Sequence, residues 1–265
     1  MKKLWITLTY LVFLILLIAP IIKIFTGAWE DGWNGFVESL TREQSVHALM
    51  MTGIIVVVVT VLNTIFGVML ALYLVRATWI GRRLKQFLNS IVDLPFAVSP
   101  VIGGLMIVLM LGPNSIIGAF FEDIGFKVVY ALPGMILATL FVTFPLMVRE
   151  VMPVLQEIGA QQEEASSTLG AYSWYTFWHV TWPSIRWGVI YGVVLTVARS
   201  LGEFGAVLVV SGNIMNKTQT ATTLVYQDVE NFNVTSASSV ALVLAAFSVG
   251  LLLLMEWAKK RKEVH

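Results

Sequence analysis

The sequence predicts an all-α membrane protein of six transmembrane helices with both termini cytoplasmic. Three observations predict it. Of 265 residues, 57% are hydrophobic and only 12% charged, and the mean hydropathy is +0.82, far above a soluble domain. Apolar runs of roughly twenty residues recur, the length that crosses about 30 Å of hydrocarbon. Lysine and arginine are spread unevenly over the segments between those runs, as in membrane proteins whose basic loops stay inside.

The first run, about 4–22, follows Met1-Lys2-Lys3. It is long for the apolar region of a signal peptide and no A-x-A site follows, so it reads as a retained helix. The second, 47–75, is longer than a crossing needs and tilts or projects from the bilayer. The third, 91–111, is punctuated by Asp93-Leu94-Pro95, then Pro100, then Gly103-Gly104. Proline kinks a helix, and paired glycines admit a close neighbour. A kinked packing helix and a flexible element lining a pathway both stay open. Runs at 132–150, 188–210 and 237–257 complete the six. Backbone groups in hydrocarbon must be satisfied within each segment, so the spans are helices; no period-two polarity points to a barrel.

One side of the membrane then carries Lys2, Lys3, Arg76, Arg82, Arg83, Lys85, Arg149, Arg186, Lys259, Lys260, Arg261 and Lys262. The other carries only Lys23, Arg42, Lys127 and Lys217, and Arg199 lies inside a span. That excess places both termini and the loops 76–90 and 151–187 in the cytoplasm. No connection could fold as a soluble domain, and no repeat or linker divides the chain, so residues 1–265 form a single transmembrane domain.

Composition excludes several classes of function. A net charge of +1 gives no sign of nucleic-acid binding, and with no cysteine there is no disulfide. A phosphate-binding loop needs G-x-x-x-x-G-K-[ST], and no lysine here follows a glycine. His47, His179 and His265 are too scattered for a metal site. No nucleophile sits with a base at helical spacing inside a span, so no catalytic, cofactor-binding or metal residue is assigned. Proton-coupled carriers normally place carboxylates within the membrane; here Glu203 is the clear one, with Asp93 near an edge.

The loop 151–187 holds Glu157, Glu163 and Glu164, then small Ala165, Ser166, Ser167 and Thr168, then Gly170. This suits a short surface helix ended by Gly170, since glycine accepts the left-handed conformation of a helix C-cap. Ser173 can cap a second helix. Trp174, Phe177 and Trp178 recur on one face of it, and Pro183 limits it before the fifth span. An interfacial helix with aromatics at headgroup level and a helix seated in the groove of a cytoplasmic partner both fit.

In the fifth span, Arg199 and Glu203 stand four apart on one helix face and can pair. At about 1.5 Å per residue from position 188, Arg199 falls near mid-membrane and Glu203 nearer the outside. Each charge there needs a partner or water. A structural pair that pins helices and a polar lining that meets an anion both stay open, with Ser211 a further candidate on that lining.

Glu164-Ala165-Ser166, Gly170 and Val180-Thr181-Trp182-Pro183 resemble the signature E-A-A-x3-G-x9-I-x-L-P of bacterial ABC-importer permeases. Glu164, Ala165, Gly170 and Pro183 match in type and position; Val180 is a mild change, and Ser166 and Trp182 are departures. The run Ala198-Arg199-Ser200-Leu201-Gly202-Glu203-Phe204-Gly205-Ala206, followed by Ser211-Gly212-Asn213, resembles the fifth helix of sulfate and molybdate permeases. Residues 93–100, with Val142-Thr143-Phe144-Pro145 and Val148-Arg149-Glu150, resemble sulfate/thiosulfate permease subunits of the CysW type.

The resemblance implies the six-helix ABC-importer permease fold, a single permease domain with 151–187 as coupling loop, and a place in the bacterial plasma membrane. It implies ATPase coupling through Glu164, Ala165, Gly170 and Pro183, and a pathway or gate near Arg199, Glu203 and Ser211, with Pro95 and Pro100 as helix punctuation. Implied partners are a second, homologous permease in a heterodimer, ATPase subunits that bind ATP and magnesium, and an extracytoplasmic sulfate/thiosulfate-binding protein. The nearest rival is a molybdate permease working as a homodimer. A secondary carrier is disfavoured by the scarcity of carboxylates, and a non-transporting scaffold leaves Arg199 and Glu203 without a reason.

Overall fold

The computed structural model describes residues 2–77 and 81–263. Outside the described part lie residues 78–80 of the loop 76–90, His265, and the side chains of Lys2, Lys3, Lys259, Lys260, Arg261 and Lys262, on which part of the charge count rests.

Among the described residues every regular element is helical. In chain order they are α1 (Lys2–Ala28), α2 (Gly32–Thr41), α3 (Glu43–Arg76), α4 (Arg82–Ala97), α5 (Pro100–Leu111), α6 (Ile116–Asp123) and α7 (Leu132–Ile158). Then come α8 (Gln161–Thr168), α9 (Ser173–Thr176), a π-helical turn (Phe177–Thr181), α10 (Trp182–Leu201), α11 (Gly205–Ser211), α12 (Ala221–Glu230) and α13 (Val234–Glu263). Five stretches are long and apolar enough to cross a membrane, and α4 and α5 reach that length only as a pair bent by 110°, a broken span or a re-entrant loop. The protein is a multi-pass membrane protein.

Two of the expected continuous spans are broken. The third, 91–111, divides at Val98 and Ser99, both extended with ψ 135° and 138°. Pro100 favours this, since its ring disfavours the helical conformation of Ser99 before it, although Pro95 and Pro145 are accommodated inside helices. Proline is well placed at the start of α5, where a missing N–H costs nothing. The fifth, 188–210, divides at Gly202–Phe204, between α10 and α11. Pro183, in contrast, ends nothing. It sits in the first turn of α10, and the chain runs helically from Ser173 through the π turn to Leu201. Ser173 is inside α9 rather than its cap; Tyr172 holds the cap position and makes no side-chain bond there.

The bundle is centred on α7, whose most apolar window is 56% buried, against 0% for the same measure on α1. Helices α3 and α10 pack on it through glycine. A Cβ at Gly67 would lie 2.6 Å from Met147 Cγ, and one at Gly192 2.5 Å from Met147 Sδ. Around them Ala71, Leu74, Val148, Val151, Leu155, Ile185 and Val189 form one core. Lipid tails are as apolar as leucine, so close approach and dispersion, rather than water exclusion, hold such helices together. A second core joins α5, α7 and α11 through Ile107, Ala138, Val142, Ala206 and Val210. At the other end of the bundle polar contacts dominate: Arg42 pairs with Asp228, which also accepts from the Ser236 hydroxyl at 2.7 Å.

Candidate functional site

The two helix breaks meet. A Cβ on Gly205 would lie 3.1 Å from Val101 Cγ2 and 3.4 Å from Pro100 Cβ. One turn along, a Cβ on Gly104 would lie 2.6 Å from the Ala206 carbonyl oxygen. The half-helices α5 and α11 therefore approach closely through Gly104 and Gly205, while Gly103 makes room for Phe141 of α7, where a Cβ would lie 2.6 Å from Phe141 Cε1.

Arg199, near the end of α10, stands at this junction. Its Nη1 lies 2.8 Å from Glu203 Oε2. The two were expected to share a helix face; instead Glu203 lies past the helix end, in the linker. There its other oxygen, Oε1, accepts the Ala206 N–H at 3.0 Å. A helix leaves its first amides without partners, and a buried amide needs an acceptor from the protein, so this carboxylate starts α11 as well as neutralising Arg199. The Glu203 carbonyl also accepts the Thr222 hydroxyl at 2.7 Å, which ties the linker to α12.

The pair is unequal in access. The Glu203 side chain is 2% exposed and that of Arg199 39%. Arg199 lines a cavity of about 220 Å³ with Pro95, Phe96, Val98, Pro100, Val142 and Leu146. Pro95 and Pro100 are thus brought to Arg199, and the third span is both kinked and part of a cavity wall. Ser211 is not in that wall. It is fully buried at the end of α11, where its hydroxyl accepts the Asn213 N–H at 3.1 Å.

Asp93, in the helix leading to the break, receives Arg149 through two parallel bonds, Nε–Oδ1 at 2.8 Å and Nη2–Oδ2 at 2.5 Å. The fork geometry fixes α4 to α7 beside the cavity. The sequence showed Asp93 as an edge carboxylate and Arg149 as a topological charge; nothing in their spacing linked them.

The second candidate region is the exposed segment after α7. Glu164 and Ala165 lie on α8, which buries none of its residues. Gly170 ends it as expected, with φ +83°, and the Gly170 and Ala171 amides return to the carbonyls of Ser167 and Ser166 at 3.0 and 3.2 Å. Pro183 is exposed but belongs to α10, beyond an aromatic row. In that row Trp174 meets Phe177 at 6.3 Å and Trp178 meets Trp182 at 5.7 Å, and Trp174 is 72% exposed.

Glu163 was missed. One residue before Glu164, and so about 100° around the helix, it turns inward to Arg76 Nε at 2.7 Å and to the Thr181 hydroxyl at 2.9 Å. Among the described residues no group of three or more histidines and carboxylates could hold a metal.

Known proteins resemble this chain in sequence and in fold. The family model for the binding-protein-dependent transport system inner membrane component matches residues 63–264. A sulfate transport system permease protein CysW of Synechocystis sp. is 44% identical over 264 residues, covering 100% of this chain and 95% of the relative. A sulfate transport system permease protein CysT of Escherichia coli K12 is 34% identical over 238 residues, covering 90% and 85%. The fold also matches, at TM-score 0.79 and 18% identity over 98% of this chain and 94% of the other, a chain in the crystal structure of a bacterial alginate ABC transporter in complex with its alginate pentasaccharide-bound periplasmic protein. With the broken-helix cavity in the bundle and an exposed helix at one end, the chain belongs to the binding-protein-dependent transport system inner membrane component family: it is a permease subunit of an ABC importer, not an enzyme in itself.

Proposed function

We propose that the imported solute is sulfate or thiosulfate, and that Arg199 meets it on the way through. The observation that carries this reading is the Arg199 side chain, 39% exposed, paired with Glu203 and lining a cavity where two helices break. A dianion reaching that level exchanges water for fixed donors. The full-length likeness to permeases named for sulfate supports the choice of anion.

In this reading residues 1–265 form one permease domain of the bacterial plasma membrane, with both termini and the coupling loop 151–187 cytoplasmic. Partners are a second, related permease, ATPase subunits holding ATP and magnesium, and an extracytoplasmic binding protein that selects the anion. Likeness to both CysW and CysT proteins favours two distinct permeases rather than two copies of one. ATP binding draws the ATPases together, α8 moves with them, and the bundle alternates its access around the break. Glu164, Ala165, Gly170 and the exposed aromatics form the docking face.

Purification of a tagged copy in mild detergent, with mass spectrometry, tests the assembly. An ATPase and a different permease are expected; recovery of this permease alone with an ATPase overturns the heterodimer. Loss of sulfate uptake on deletion of the gene tests the solute, and unchanged uptake removes sulfate. Single cysteines at exposed Asn216 and Asn231 should react with an impermeant thiol reagent in whole cells, and one at Ser167 should not. Reaction at Ser167 reverses the orientation.

A further inference from the structure

One charged cluster has no part in the reading above. Arg76 is the last residue of α3. Its Nη1 donates to the Leu155 carbonyl at 3.1 Å and its Nη2 to the Gly159 carbonyl at 2.6 Å. These close the end of α7, where a helix leaves its last carbonyls without partners and where a cation is favoured by the helix dipole. The same guanidinium grips Glu163, with Nε–Oε2 at 2.7 Å and Nη2–Oε1 at 3.4 Å. Glu163 Oε1 also accepts the Thr181 hydroxyl at 2.9 Å, from the π turn that leads into α10. One guanidinium and one carboxylate therefore join α8 to α3, α7 and α10, the three helices packed around Met147.

A second observation gives this cluster its meaning. Helix α8 buries no residue, so apolar packing does not fix it to the bundle. Its other tie, Ser166 Oγ to Thr176 Oγ1 at 2.9 Å, reaches only α9, which belongs to the same exposed segment. Both chain links beside α8 contain a glycine of positive φ, Gly159 at +69° and Gly170 at +83°. Glycine allows the backbone to turn at such points with little steric resistance. A push on α8 pivots there unless a side chain stiffens it. The Arg76–Glu163 fork is suited to that task, since two parallel bonds fix orientation as well as distance. Both side chains are 22% exposed, so salt screens the pair less than it would on an open surface.

We propose that Arg76 and Glu163 are positioning residues that carry the displacement of α8 into α3, α7 and α10. The inference rests on the transport reading, because the displacing force comes from an ATPase seated on α8. Glu163 faces the bundle while Glu164 faces the partner, so adjacent glutamates divide two tasks: one receives the ATPase, the other passes its motion on. Without the clamp, α8 follows the ATPase while the bundle lags.

The test uses the assembled importer in membrane vesicles, with ATP hydrolysed and radiolabelled sulfate imported measured together. In Glu163→Gln the ATPase should still co-purify and still hydrolyse ATP, while uptake falls. The ATP used per sulfate should rise about tenfold, within the range that residues along a coupling route can command. Arg76→Lys, which keeps the charge and loses the fork, should give a similar rise. Thr181→Val, which leaves the ion pair, should give a smaller one, about threefold, and provides the reading should either clamp variant fail to accumulate. An unchanged ratio, whether uptake is normal or falls in step with hydrolysis and association, overturns the inference and leaves Arg76 a simple helix cap. The unsubstituted complex is measured first: if it holds no ATPase or imports no sulfate, the transport reading fails at that point, separately from the clamp.

Discussion

Two short helices, α8 and α11, have nearly the same length and opposite circumstances. Helix α8 has eight residues and buries none; α11 has seven and buries four, Ala206, Val207, Val210 and Ser211. Helix α8 is tied by side chains to an Arg76–Glu163 clamp and presents its other face to solvent. Helix α11 is set against α5 by backbone contact at Gly104 and begins on the Glu203 carboxylate. The difference follows from the surroundings. In water, exposed amides and carbonyls are satisfied at no cost, so a helix can be carried on one polar attachment. In a buried junction every amide released by a break needs a partner from the protein. A pushed element and an opening element therefore use different physics, which yields a graded set of expectations.

The largest effect is expected at the membrane break. Glu203→Ala removes the partner of Arg199 and the acceptor for Ala206 at once, and should cost about 3 kcal/mol, as loss of one member of a buried pair does. Thermal unfolding in detergent reads this as a loss of folded protein. Arg199→Ala should cost about as much: Glu203 keeps its Ala206 bond, but its carboxylate, 2% exposed, is left without a counter-charge. The exchange Arg199→Glu with Glu203→Arg should not restore stability, since arginine cannot accept from Ala206. A stable exchanged protein would show that the cap on α11 is unimportant and erase the contrast with α8.

Next is Gly104→Val. Its Cβ would meet the Ala206 carbonyl oxygen at 2.6 Å, and overpacking of that kind costs about 1–3 kcal/mol. The same unfolding measurement should show it, with uptake reduced beyond the loss of protein if α5 and α11 must slide. Wild-type stability would mean that the half-helices are less closely apposed than backbone contact requires.

Gly170→Val should be milder in stability and severe in coupling. Nothing lies within 4 Å of its Cβ, so the strain comes only from φ +83°, about 1–2 kcal/mol for a non-glycine residue. Insertion should be normal and ATPase association reduced. Smallest of all is Glu164→Ala, with a stability change within about 0.5 kcal/mol, as for exposed sites without partners. ATPase co-purification should fall regardless. Normal association in both variants would return this segment to a plain interfacial helix and leave only the membrane break as a working part.

Much of this was legible in the residues. That the chain is built on several long apolar helices followed from apolar length, although the helix expected over 188–210 runs over Ser173–Leu201 instead. The end of α8 at Gly170 followed from glycine chemistry, and the Arg199–Glu203 pair followed from the cost of a lone charge in lipid. Pro95, Pro100 and the glycine pair announced irregularity in the third span, though not its 110° bend. Pro183 misled, because a proline in a first turn looks the same in sequence as a proline that ends a helix. Glu163 was hidden by Glu164: two adjacent glutamates carry identical local information, and only the rotation of α8 against Arg76 tells them apart.

By itself the sequence determined what each segment can tolerate: which runs must be helical in a bilayer, where proline and glycine permit a break, and which charges need partners. These are local properties, set by solvent and by backbone sterics within a few residues. The tertiary structure decided which segments meet. Contacts such as Asp93 with Arg149, Gly104 with Ala206, and Arg76 with Glu163 join residues distant in the chain. Their pairing depends on how α3, α5, α7, α10 and α11 pack around Met147 and around the two breaks, and no spacing within one segment encodes it.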